Sequence, residues 1–223
     1  DIKMSGVNSI NWARIIAQSV YYFYSYSLVE DASEPTNFSV PTGNFGDVYA
    51  GYLAKKMGLP IDKLIVATNQ NDILHRAISK GSYEAEKVSE TISPSMDIQI
   101  ASNFERLIFD LNNGDDQQTS LDMKNIKEKG QYLINDDKLN KISENFLSAR
   151  MSENETLEVI KNVYEKFAVV LDPHTAIGYG AFDKHNLKGN NIVLATAHPC
   201  KFPGAIHNAI NVKSELPLSL IHI

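Results

Sequence analysis

Apolar residues recur at helical spacing near the start of the chain, as Ile10, Ala13, Ile15, Ile16, Ala17 and Val20, and the aromatics Tyr21, Tyr22, Phe23, Tyr24 and Tyr26 continue them. The pattern predicts a helix opened by the turn and cap residues Ser5-Gly6 and Asn8-Ser9, and large side chains so spaced predict that it is largely buried. A polar connector containing Pro35 leads to the β-prone Asn37-Phe38-Ser39-Val40. The Ala, Leu and Lys content of Val48 to Met57 then suits a helix, and Gly58-Leu59-Pro60 stops it. Lys63 to Thr68 reads as a buried strand. Strand, helix, strand in that order predicts a parallel pair with a right-handed crossover.

Further on, Ile73 to Ser79 reads as a helix broken by Gly81-Ser82-Tyr83, and Thr91 to Ile100 as a loop around Pro94. Ser102 to Leu111 is helical, capped by Ser102 or Asn103, with Phe104, Leu107, Ile108 and Leu111 on its apolar face. From Asn112 to Asn154 the composition turns polar. There Leu121, Ile126, Leu133, Leu139, Ile142, Phe146 and Leu147 are spaced for amphipathic helices, forming a peripheral helical module with a solvated charged face. Thr156 to Val170 is a further helix, and the small residues of Thr175 to Phe182 predict close packing against a sheet. Asn191 to Thr196 is a strand, with Ala197-His198-Pro199 turning at its carboxyl end. The expected fold class is α/β, a mostly parallel sheet flanked by helices, divided into 1–111, 112–170 and 171–223.

The chemistry gathers where Phe38 to Val40 feeds the helix beginning near Val48. Gly43 and Gly46 flank Asn44 and Phe45, so the backbone there can take positive φ and approach a ligand with no Cβ in the way. The first N–H groups of the following helix lack intrahelical partners and carry a partial positive charge, which favours a phosphate. The turn is either a plain βα connection or an anion cup. It is neither a Walker A loop nor a Gly-x-Gly-x-x-Gly fingerprint. Ligands in parallel sheets gather at strand carboxyl ends, which puts Gly43 to Gly46 and Asn69 to Asp72 on one edge, Asn69 and Asn71 also serving as ordinary turn residues. Asn11 and Arg14, at the start of the first helix, are a cap and a surface arginine or contacts for an anion. His174 and His198, each beside a proline, read as hydrogen-bonded structural residues.

Composition narrows the function class. The 223 residues are 43% hydrophobic and 22% charged, enough for one large or two small globular domains. A net charge of −6 offers no basic field for nucleic acid or acidic lipid. No apolar run reaches membrane-spanning length, and the single cysteine, Cys200, cannot form an internal disulfide. The expectation is a cytoplasmic protein with a small-molecule substrate, and His and Cys spacings give no metal site.

Val40 to Asp47 with Ala50-Gly51 closely resembles the phosphate-binding loop of the threonine synthases, pyridoxal-phosphate enzymes of the tryptophan-synthase-β-like fold. Further blocks match in the family's order. Asn8 to Arg14 with Gln18 precedes the loop, and Ala67 to Asp72, Ser93 to Ile98 with Ser102 to Arg106, Asp172 to Ala176, and Thr196 to Pro199 with Lys201-Phe202 follow it. The resemblance implies a fold type II pyridoxal-phosphate enzyme that converts O-phosphohomoserine and water to threonine and phosphate. It implies that Gly43, Asn44, Phe45 and Gly46 hold the cofactor phosphate through backbone N–H groups, that the Thr196 hydroxyl partners the pyridine nitrogen, and that Asn11 and Arg14 contact the substrate phosphate. Without the family, Thr196 is equally a strand-end threonine serving the local backbone. Beginning at Asp1 rather than methionine, the chain looks like the family's C-terminal half. The family's Schiff-base lysine lies ahead of everything aligned, no lysine here is assigned that role, and the chain alone is expected to be inactive. Cys200 stands where the family commonly has a small residue, an oxidisable thiol near the cofactor. A related phospho-lyase of the same fold and a non-catalytic truncated chain are the alternatives. Val212 to Ile223 matches nothing and reads as a foreign or altered terminus.

Overall fold

A computed structural model describes residues 8–212 and 217. The expected turn at Ser5-Gly6 and nearly all of the segment from Val212 to Ile223 lie outside the described residues. The chain builds one four-stranded parallel sheet from β1 (Thr36–Pro41), β2 (Ile61–Thr68), β5 (Phe146–Arg150) and β6 (Asn190–Val193), in the order β5-β2-β1-β6. A small antiparallel pair, β3 (Ser82–Glu84) with β4 (Gln131–Leu133), stands apart. All six residues of β1 are buried, as a strand covered on both faces by helices requires. In register, Phe38 faces Leu64 across to β2 and Ile192 across to β6, and Leu64 in turn faces Phe146.

The helices are α1 (Trp12–Ser27), α2 (Gly46–Lys56), α3 (Ile73–Lys80), α4 (Phe104–Leu111), α5 (Asp116–Lys129), α6 (Asp136–Asn145), α7 (Glu153–Phe167), α8 (Pro173–Asp183) and α9 (Pro203–Ile210). Their ends follow local chemistry. Met57 and Gly58 (φ 103°) close α2, Gly81 in the left-handed region closes α3, and Ser152 with Glu155 forms a reciprocal capping box that opens α7. The small residues of α8 let it lie tightly on the sheet: a Cβ on Gly178 would meet Pro41 Cγ at 3.0 Å, and one on Gly180 would overlap Met151.

Two expectations are corrected here. Phe146 and Leu147 belong to a strand, not a helix, so the 112–170 stretch contributes β5 to the main sheet. Five residues with three apolar positions fit either period, and pairing with the buried β2 decides between them. The helix α1 is not largely buried. Ile15, Ser19 and Tyr22 face inward, while Ile16, Val20, Tyr21 and Tyr24 stay exposed, Tyr24 at 65%. Periodicity reports that a helix surface is apolar, and only packing decides which part is covered.

The inner face of α1 meets α2 at a glycine. The Tyr22 hydroxyl donates to the Asp47 carbonyl (2.8 Å), and its ring lies so close to Gly51 that a Cβ there would sit 2.5 Å from Tyr22 Cε1 and 2.9 Å from Leu64 Cδ2. Tyr22 is fully buried, so it has no room to give way. Gly51→Ala should therefore lower stability by about 1–3 kcal/mol through overpacking. Chemical denaturation of the two proteins measures this, and an unchanged midpoint would contradict the packing described.

Candidate functional site

Beyond β1 the chain makes a tight turn into α2. Its left-handed residue is Phe45 (φ 65°, ψ 6°), whereas neither Gly43 nor Gly46 has positive φ. The expected division of labour is thus corrected. Phe45 accepts an unfavourable backbone because its side chain, 1% exposed, is edge-on to Phe104 at 5.2 Å and near Phe146 at 5.9 Å. Gly43 is needed for close approach: a Cβ there would overlap the Ser95 carbonyl oxygen. The buried Asn103 fastens the turn from behind, its backbone N–H and its side-chain amide both donating to the Asn44 carbonyl at 3.1 Å. The N–H of Phe45, on the other side of that planar peptide, is turned away from Asn103. No side chain caps α2, so its first-turn N–H groups are left for another acceptor.

The turn forms one wall of a cavity of about 720 Å³, lined by Pro41 to Val48. The end of β6 and the segment leaving it, Ile192 to Ala197, line it too, and this stretch includes Thr196. This is where strand order reverses: from β1 the chain proceeds to β2 on one side while β6 lies on the other, and such a switch point opens a crevice at the strand carboxyl ends. Ser95, Met96 and His174 close one side, and Arg14, Gln18 and Tyr21 of α1 stand at another. Gly43, Asn44, Phe45, Gly46, Thr196 and Arg14 therefore share one cavity. Asn11 does not line it. Its side-chain oxygen caps α1, accepting from the Ala13 N–H at 2.9 Å.

Asp47 in the first turn of α2 also lines this cavity. Burial raises its pKa to about 6, against the opposing effects of the Tyr22 hydrogen bond and the Arg14 charge. The Tyr22 phenol is pushed well up in turn, by burial first and by Asp47 second. A carboxyl whose pKa is higher folded than unfolded contributes stability that is complete below the unfolded value near 3.8 and lost as pH rises past about 6. Asp47→Asn should remove that contribution. Relative to the unaltered chain, thermal melts of the variant should gain stability between pH 4 and pH 6.5 by at most about 3 kcal/mol. A difference flat with pH would reject the shift.

Reading the sequence missed the polar groups that hold the cavity walls. Asp172 caps α8, accepting from the His174 N–H at 2.9 Å, and its carboxylate also accepts from the Thr175 hydroxyl. His174 Nδ1 lies 3.1 Å from Asp172 Oδ1, and His174 Nε2 accepts from the Ser95 N–H at 3.3 Å. Burial works against the Asp172 carboxylate, but the hydrogen bonds from His174 and Thr175 outweigh it and hold the pKa below the usual range. Asp-Pro-His-Thr at a helix start was the available signal, a good cap beside a helix-opening proline. Asn69 and Asn71 are more than turn residues. Both are buried, and both donate to Asp97 Oδ1, at 2.7 and 3.0 Å, fixing the loop that carries Ser95. His198 Nδ1 accepts from the Cys200 N–H at 3.2 Å. Cys200 is half-buried and does not line the cavity. Among the described residues no three His, Cys, Asp or Glu gather as metal ligands, and no helix is long and apolar enough to cross a membrane.

A family model described as "Threonine synthase, C-terminal" matches residues 175–223. Threonine synthase of Saccharomyces cerevisiae is 46% identical over 94% of this chain, and that of Pseudomonas aeruginosa 45% identical over 98%. A crystal structure of pyridoxal-phosphate-bound threonine synthase from Brucella melitensis superposes with a TM-score of 0.92 at 47% identity, covering 97% of this chain. The chain spans about half the length of these relatives, 45% and 47% of the two sequences and 47% of the crystallised chain.

Proposed function

Taking as premise that the chain belongs to the threonine synthase family, we propose that it is the part of such an enzyme that holds pyridoxal phosphate by both ends during conversion of O-phosphohomoserine and water to threonine and phosphate. The observation that carries this reading is the shared cavity: a glycine turn at an uncapped helix start on one wall and Thr196 on the other. The residues fit the group, since the turn from Gly43 to Gly46 lines the cavity and no side chain caps the first-turn N–H groups of α2.

In this reading the N–H groups of Gly43 to Gly46 bind the cofactor phosphate, with the α2 dipole behind them. The Thr196 hydroxyl donates to the pyridine nitrogen and keeps its own proton, where an aspartate would leave that nitrogen protonated. Pyridoxal phosphate, when bound, supplies the electron sink that takes up charge as substrate C–H bonds break. Arg14 meets the substrate phosphate and stabilises it as it leaves with the bonding electron pair. The cap formed by Asn11 sets the start of α1 and so the placing of Arg14 one turn on; direct contact between Asn11 and phosphate is not needed. Among the described residues no lysine lines the cavity; in this reading the lysine that attaches the cofactor lies outside this chain, which alone binds without turnover.

Titration of the chain with pyridoxal phosphate, followed by calorimetry and absorption, tests this. The expected result is saturable binding, competed by inorganic phosphate, without the visible absorption of lysine-bound pyridoxal phosphate. Absence of binding rejects the phosphate cup, and a visible band lost on substituting one lysine rejects the assignment of that role elsewhere.

A further inference from the structure

The two walls of the cavity come from stretches far apart in sequence, yet one carboxylate is wired to both. Asp172 is 1% exposed and sits at the start of α8, outside the cavity lining. From its Oδ1 the path runs to His174 Nδ1 (3.1 Å), through the ring, and from the Ser95 N–H to His174 Nε2 (3.3 Å). Because a backbone N–H can only donate, Nε2 must be the bare nitrogen and Nδ1 carries the proton toward Asp172. From Oδ2 the path runs to the Thr175 hydroxyl, which donates to the carboxylate and in turn accepts from the Thr196 N–H at 3.3 Å. Each ring nitrogen has one role and the Thr175 hydroxyl donates once and accepts once, so the network has one consistent assignment of protons.

The ends of the two paths matter. Ser95 presents its carbonyl oxygen where a Cβ on Gly43 would be, so the loop it anchors sets the depth of the turn from Thr42 to Asp47. Thr196 belongs to the opposite wall. The helix needs far less than this from its cap: one oxygen accepting from the first free N–H groups completes the start of α8, and Asp172 Oδ1 already does so for His174 and Thr175. The second oxygen and the imidazole are surplus to capping.

We propose that Asp172 is a positioning residue that sets the separation of the two cavity walls, through His174 and Ser95 on the phosphate side and through Thr175 and Thr196 on the other. It touches no ligand. What it fixes is the distance over which a rigid, two-ended molecule can be held, and in that sense the inference rests on the reading that the cavity holds a phosphorylated pyridine.

The test needs no ligand. Amide hydrogen exchange and ¹⁵N spectra of the labelled chain are compared with those of Asp172→Asn, Thr175→Val and His174→Phe. Thr175→Val, nearly isosteric, removes the acceptor of the Thr196 N–H together with the donor to Asp172, and should speed exchange at Thr196 about tenfold with Ser95 unchanged. His174→Phe, which keeps a ring but has no acceptor, should do the converse. Asp172→Asn should speed both and abolish the signal of a proton held on His174 Nδ1. Should Asp172→Asn fold poorly, the pattern of the two single variants decides alone. The inference is overturned if Thr175→Val and His174→Phe each move both amides together, as general loosening would, or if either leaves its own amide unchanged. A chain that gives the expected exchange pattern but binds no pyridoxal phosphate would retain the wiring and reject the proposed function.

Discussion

Gly43→Ala is expected to weaken pyridoxal phosphate binding by about fivefold or more, the largest functional loss from adding a single methyl group to this chain. The methyl would overlap the Ser95 carbonyl oxygen, which is backbone and cannot rotate aside. One of two segments must then shift. The loop bearing Ser95 is pinned by Asn69 and Asn71 to Asp97 and by its own N–H to His174. The turn is pinned by Asn103 but ends in α2 with no side-chain cap. The turn is the softer partner, so its amides are the groups displaced. Overpacking of about 1–3 kcal/mol corresponds to roughly 5- to 150-fold in affinity when the strain is relieved in the unbound turn and restored on binding. Calorimetric titration of both proteins checks this, with inorganic phosphate as the simpler probe. Gly46→Ala is the contrast: its Cβ would meet Asn103 Nδ2 at 3.3 Å, the end of a side chain, and the loss should be smaller.

Phe45→Ala should be the most destabilising substitution in the turn, by about 3–5 kcal/mol. The ring is 1% exposed and ties the turn to α4 through Phe104 and to β5 through Phe146. Alanine at φ 65° keeps the left-handed cost while losing the packing that offsets it. Phe45→Gly relieves the backbone and should recover about 1 kcal/mol of the loss. Urea denaturation of the three proteins tests the ordering, and an alanine variant as stable as the glycine variant would show that the backbone of Phe45 is unstrained.

The sequence carried the α/β class, the parallel pair β1 and β2, and the position of the turn plainly, because β-branched runs, helix formers and the Gly58-Leu59-Pro60 stop agree locally. The short strand β5 was hidden, since its assignment depends on pairing with residues some 80 positions away. The exposed side of α1 was misread because an apolar helix surface looks the same in sequence whether or not anything covers it. Gly43, Gly46 and Thr196 stood out from residue type and from the resemblance. Asp172, Asn103 and Asp97 did not, since a buried polar side chain takes its meaning from partners that only the fold supplies.

The parallel sheet joins Thr36 to Asn190 across 154 positions. During synthesis the loop after β1 emerges well before β6, the strand that leads to Thr196. Contacts of such long range slow folding, because chain entropy is lost before the pairing that rewards it. A ribosome-bound intermediate with β1, α2 and β2 in place would have half a cavity and no means of gripping a small molecule by both ends. Ligand present during refolding should therefore leave the early phases unchanged and act only on the last.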